Sequence, residues 1–93
     1  MVSLALIAEH IIKEQELVIG SLAWSEAEKV SGLKIDSNSH EIHFSVPDTK
    51  NVIDLLVAQY ERLFGKASHE VCREAAAPFL AQFSIDEIPK SLR

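Results

Sequence analysis

His69 and Cys72 stand one helical turn apart, and imidazole beside thiol is the pairing from which this chain could make a nucleophile or half of a zinc site. Neither chemistry develops in the surrounding residues. Zinc needs three or four ligands at closed spacing, and His10, His40 and His43 bring no second Cys/His pair. A Cys-His enzyme needs an oxyanion hole and an orienting third group, and no segment suggests either. Cys72 also shares an apolar stripe with Ala75, Ala76 and Phe79, where a free thiol behaves as a small hydrophobe. It is expected to be buried and unreactive, which leaves a thiol enzyme using Cys72 as the weakest functional reading.

The other chemistry-bearing residues are equally dispersed. Gly20, Gly32 and Gly65 are isolated, so no phosphate-cradling loop exists. Glu9, Glu14, Glu16, Glu26 and Glu28 read as solvated helix faces, with no pairing suited to general acid and base. His43 points away from the apolar face of its strand. Gln15 is different: it lies inside an apolar helical stripe, where its amide needs a partner from the backbone, a symmetric helix or a ligand. No catalytic residue, cofactor or metal is expected, and the chain does not read as an enzyme.

Composition narrows the class. The 93 residues are 47% apolar and 25% charged, ordinary globular values that argue against disorder. A net charge of -5 provides no excess of cations for a phosphate backbone, so no nucleic-acid partner is expected. With Cys72 as the single cysteine no intrachain disulfide can form, which fits a reducing compartment. The greasy opening from Met1 to Ile19 lacks a basic leader region and is interrupted by Glu9, His10, Lys13, Glu14 and Glu16. No run approaches the roughly 18 apolar residues of a membrane span, so a cytoplasmic protein without a membrane partner is expected.

The elements that must position these residues follow from periodicity. Leu4, Ile7, Ala8, Ile11, Gln15, Val18 and Ile19 recur at helical spacing, predicting an amphipathic helix from about Ser3 to Ile19 that Gly20 ends. Leu6 and Leu17 lie off that stripe and mark either a second contact or scattered surface leucines. Ser25 and Glu28 have capping-box spacing, so a short helix beginning at Leu22 or Glu26 should run to Ser31, with Trp24 at its entrance as a core anchor.

Leu33 to Asp36 and Glu41 to Val46 alternate apolar and polar residues strictly, which predicts a hairpin turning through Ser37-Asn38-Ser39-His40. Pairing Ile35 with Ile42 and Leu33 with Phe44 puts every apolar side chain on one face, but leaves Asp36 opposite Glu41. A wider turn or a nearby cation must relieve that repulsion. Asp48 should cap a helix from Lys50 to Phe64 that is apolar around more than half its girth, so it must be covered from two sides. Ser68 should cap the last helix, and Pro78 should kink or split it. In the tail, residues 83–93, Ile85, Ile88 and Leu92 have the spacing to dock as a final turn.

The sequence therefore predicts a small single α+β domain: helix, short helix, β-hairpin, helix, helix, with the helices packed on one face of a two-stranded antiparallel hairpin. A two-stranded ribbon with open edges is marginal alone, and the central helix has apolar surface to spare. Both point to a non-catalytic interaction or regulatory module that pairs with itself as a homodimer, joining two hairpins edge to edge. Leu6, Leu17, Leu55, Leu56 and Val57 are the candidate interface. The competing account has the other helices and the tail cover these surfaces within one chain. The rival function is a small apolar-ligand binder, with a pocket between the last two long helices lined by Tyr60, Phe64, Phe79 and Phe83.

Overall fold

Ser3 opens the first helix by accepting the Leu6 N–H on its hydroxyl at 3.2 Å, and α1 then runs Leu4–Ile19. The computed structural model describes residues 3–36 and 38–93; Met1, Val2 and Ser37, the last within the expected hairpin turn, lie outside the described residues. Gly20 ends α1 at φ 72, donating its N–H to the Glu16 carbonyl at 2.8 Å. The chain restarts at once as α2, Leu22–Glu28. Ser25 is therefore inside α2 and not at its cap, so the expected capping box does not form. Trp24 is buried in the first turn.

The hairpin consists of β1, Leu33–Ile35, and β2, Ile42–Phe44, paired Leu33 with Phe44, Lys34 with His43 and Ile35 with Ile42. This is the register that alternation predicts, because a slip of one residue would turn Lys34 and His43 inward. The turn is wider than two residues. The Asp36 carbonyl accepts from His40 N–H at 2.8 Å, and His40 adopts φ 59, a left-handed conformation seldom taken by residues with a side chain. Asp36 turns its carboxylate into the loop, accepting from the amides of Asn38 at 2.8 Å and Ser39 at 3.1 Å. Those bonds, that from Ser39 foremost, lower its pKa.

Asp48 caps α3, Thr49–Phe64, through its bond to Asn51 N–H at 3.2 Å. After Gly65 the chain enters α4, Lys66–Leu80, directly. Ser68 is buried inside this helix and does not cap it. Pro78 neither splits α4 nor ends it on the spot: the helix continues to Leu80, because the one amide lost near a C-terminus frees only the carbonyl of exposed Glu74. Two 3-10 turns follow, Ile85–Glu87 and Lys90–Leu92, the first held by Glu87 accepting from Ser84 N–H and Oγ, both at 2.9 Å.

Together these elements make a small α+β domain whose helices pack against the hairpin. One core joins Ile7, Ile11 and Ile12 of α1, Ala23 and Ala27 of α2, Leu33 and Ile42 of the hairpin, and Val52, Ile53, Leu56 and Val57 of α3. Cys72, Ala75 and Ala76 close it from α4, and Ile88 and Leu92 from the tail. The broad apolar girth of α3 is thus covered by α1, α2, α4 and the tail of its own chain. Among the described residues, no helix is long and apolar enough to cross a membrane.

Candidate functional site

Cys72 lies in the interior between α4 and α1, where burial pushes its thiol up to about 11 and leaves it protonated at neutral pH. Its thiol accepts a hydrogen bond from Gln15. That amide, fully buried on α1, donates to the Ser68 carbonyl at 2.8 Å and to Cys72 Sγ at 3.3 Å. The amide nitrogen of Gln15 thus finds its partner within the chain, on the backbone of α4, whereas its buried Oε1 has no hydrogen-bond partner among the described residues. The His69–Cys72 pair does not form, because both nitrogens of His69 are engaged elsewhere. Among the described residues, no three His, Cys, Asp or Glu side chains are grouped to hold a metal ion.

His69 is instead the centre of a clamp on the tail. Its Nδ1 is 3.0 Å from Glu61 Oε2 on α3, and its Nε2 is 2.7 Å from the main-chain carbonyl of Ser91. A carbonyl and a carboxylate can only accept, so both ring nitrogens must donate, which defines an imidazolium. The same two bonds, that to Ser91 foremost, raise the His69 pKa. On the other side of Ser91, Asp54 Oδ1 accepts from its N–H at 2.9 Å and its hydroxyl at 2.6 Å. Ser, His and Asp therefore stand together, but not as a hydrolytic triad: the Ser91 hydroxyl is held by Asp54, and His69 meets only the peptide oxygen. The arrangement fixes the chain; it does not activate a nucleophile.

The aromatic candidates do not gather around one cavity. Tyr60 is buried against α2, its hydroxyl donating to the Ala23 carbonyl at 2.6 Å, and burial raises its pKa far above the usual range. Phe79 meets the ring of His10 edge-on at 5.3 Å, on the α1 side of α4. Phe64 is exposed at the end of α3, and half-buried Phe83 lies beyond α4. Among the described residues, none of these four lines the clefts at the start of α3 beside the tail, between α1 and α4, or between α4 and Leu92. Tyr60 belongs to the α2–α3 contact and Phe79 to the α1–α4 contact.

The candidate interface divides in two. Leu56 and Val57 are buried within the chain, so they cannot meet a partner; the wheel position that suggested an interface is used by the core. Leu6, Leu17 and Leu55 are exposed. Leu17 is the most open at 81%, and the neighbouring Val18 and Leu22 are 64% and 52% exposed. Gln15 reaches Ser68 while His10 reaches Phe79, so α1 and α4 run antiparallel and the last turn of α1 lies beside the start of α4. Tyr60 reaches Ala23, which brings the α3–α4 corner, with exposed Leu63 and Phe64, to the same end. Leu17, Val18, Leu22, Leu63 and Phe64 are thus exposed on the helix ends that the fold brings to this side of the domain. No family model, curated protein or solved structure matches this chain.

Beside that end, α1 and α4 frame a cleft of about 260 Å³ lined by Leu17, Val18, Val71 and Ala75, with His10, Glu14 and Glu74 at its rim. Sequence reasoning found Leu17 but missed the other exposed residues, since Val18 and Leu22 share the stripe that buries Ile7 and Ile11. The signal was position: both fall next to Gly20, where α1 stops and the core recedes. It also missed the contact of His40 with Trp24, whose rings stack at 3.8 Å and 15°. Of the hairpin histidines, His43 is exposed and His40 half-buried.

Proposed function

We propose that this chain is a non-catalytic protein-interaction module, that it binds through the exposed residues Leu17, Val18, Leu22, Leu63 and Phe64, and that it self-associates as a homodimer. The observation that supports this reading is that five large apolar side chains at the end of α1, the start of α2 and the end of α3 are left open to water. Exposed apolar surface grouped on a small domain marks an interaction site. Edge-to-edge hairpin pairing is the less favoured mode, since each strand is only three residues long and offers few ladder bonds.

Light scattering on a dilution series tests the reading, because a 10.3 kDa mass persisting at high micromolar concentration would contradict it. Leu17→Glu is expected to shift the equilibrium to monomer without loss of helicity, since Leu17 makes little contact with the core. The same change at Leu56 would unfold the chain and report nothing about association.

A further inference from the structure

We propose that the tail, residues 84–93, is a proton-held latch: the imidazolium of His69 pins Ser91 against α3 and α4, and loss of its proton lets the tail leave ahead of the rest of the fold. The latch is independent of the self-association proposed above. Ile88, Pro89 and Leu92 are buried, so the docked tail completes the core. Yet it is built as a detachable piece. Its backbone hydrogen bonds close within it, Glu87 to Ser84, Ile88 to Ile85, Leu92 to Pro89 and Arg93 to Lys90, so undocking breaks no helix and no strand pairing. Among the described residues, hydrogen bonds tie it to the helices at two points. One is exposed, where Lys50 donates to the Asp86 carbonyl at 2.8 Å. The other is Ser91, gripped from both sides: Asp54 on α3 accepts its N–H at 2.9 Å and its hydroxyl at 2.6 Å, while His69 on α4 donates to its carbonyl at 2.7 Å.

The His69 side of that grip depends on a proton. With Glu61 Oε2 at 3.0 Å from Nδ1 and the Ser91 carbonyl at Nε2, the ring meets two groups that only accept, and a neutral imidazole can satisfy just one. Glu61 and Asp54 on α3 and Glu70 on α4 favour the cation. Against it stand Lys66 and Arg73, one turn away on α4, and Lys90 and Arg93 of the tail. Arg73 is engaged by Glu70 at 3.1 Å, and Arg62 on α3 turns to Gln59 at 2.9 Å. By linkage the latch is closed below about pH 6.5, the value in an unfolded chain, and loosens as pH rises through the higher value in the fold. Release bares the surface beneath Ile88, Pro89 and Leu92, so the proton controls how much apolar surface the domain presents to water.

Amide hydrogen exchange tests the latch, measured by NMR on the full chain from about pH 5.5 to 9 and corrected for the intrinsic base-catalysed rate. The amides of Ser91 and Leu92 are expected to be less protected than those of Ile53 and Leu56, which are fully buried in α3 and open only with the whole fold. Tail protection should fall about fivefold across the range, the loss of one hydrogen bond to a charged group reduced by solvent screening. His69→Gln should leave the tail weakly protected at every pH with that step gone. Asp54→Asn, which weakens the other side of the grip, should lower protection throughout and keep the step. Circular dichroism confirms the fold of each variant. Tail amides as protected as Ile53 would show that the tail opens only with the fold. Wild-type tail protection that ignores pH, or a step that survives His69→Gln, would show that His69 does not hold it, and any of these results overturns the latch.

Discussion

Raising the pH through the titration of His69 should loosen the tail and destabilise the fold. The imidazolium donates at 3.0 Å to Glu61 on α3 and at 2.7 Å to the Ser91 carbonyl, and Glu70 on its own helix adds a further favourable charge. The folded protein therefore holds this proton more tightly than the unfolded chain. By linkage, the contribution is complete below the unfolded-state value, about pH 6.5, and is lost as pH rises through the higher folded-state value. Deprotonation leaves one nitrogen without a hydrogen to donate. A hydrogen bond to a charged group contributes about 1.5–3 kcal/mol when well buried. The His69 and Glu61 side chains are 29% and 39% exposed, so solvent screening reduces the expected loss to about 1 kcal/mol. In a domain of this size that corresponds to about 4–8 °C in Tm.

Urea unfolding of the wild type and of His69→Ala, from about pH 5.5 to 9, isolates the effect, since the remaining histidines are common to both proteins and cancel in the difference. The stability gap should be largest at acid pH and narrow as pH rises. In a double-mutant cycle, Glu61→Gln should remove about half of the acid-side gap. A gap independent of pH, or one that widens toward alkaline pH, would show that the ring is neutral in the fold and that the clamp is misread.

Gly32→Ala should cost more than about 2 kcal/mol, because at φ 87 the new methyl would sit 2.8 Å from Val52 Cγ2 and 2.9 Å from Val46 Cγ2. Gly20→Ala, at φ 72 and ψ -153 in a region nearly confined to glycine, meets nothing within 4 Å and should cost about 1–3 kcal/mol of backbone strain alone, so a Gly20 loss larger than the Gly32 loss in chemical denaturation would refute the packing account. Tyr60→Phe, which removes the 2.6 Å bond to the Ala23 carbonyl, should lower stability by about 1 kcal/mol with an unchanged denaturant slope. Cys72, with its thiol pushed up to about 11 and out of contact with water, should react with a thiol reagent only as fast as the fold opens. Rapid labelling of the native protein would sink that expectation.

Much of the fold was legible because it is local. Strict alternation sets the parity of the hairpin, and Ser3 and Asp48 at the starts of α1 and α3, with Gly20 and Gly65 at their ends, mark boundaries through orphan amides and carbonyls. The errors arose where one residue serves two elements. Gly65 ends α3 and starts α4, so Ser68, which has the chemistry of a cap, is drawn into the helix and gives its carbonyl to Gln15. The breadth of α3's apolar face was equally legible, but a helical wheel cannot say whether the cover for Leu56 comes from the same chain. The His69 clamp was beyond local reading altogether, because it joins residues 22 and 37 positions apart to Ser91 through its backbone as much as its side chain.

The most extensive packing in the domain is between its first and last long helices, and this has a consequence for synthesis. Gln15 and Cys72 are separated by 57 residues. At about 5–20 residues per second, α1 leaves the ribosome roughly 3 to 11 s before the α4 surface that will cover it exists. During that interval α1 can pack on α2, the hairpin and α3, but the face that α4 will cover stays open, and the nascent chain carries part of an amphipathic helix exposed. The core is complete only when α4 has been made, so the helix made first in this domain is among the last to be fully covered.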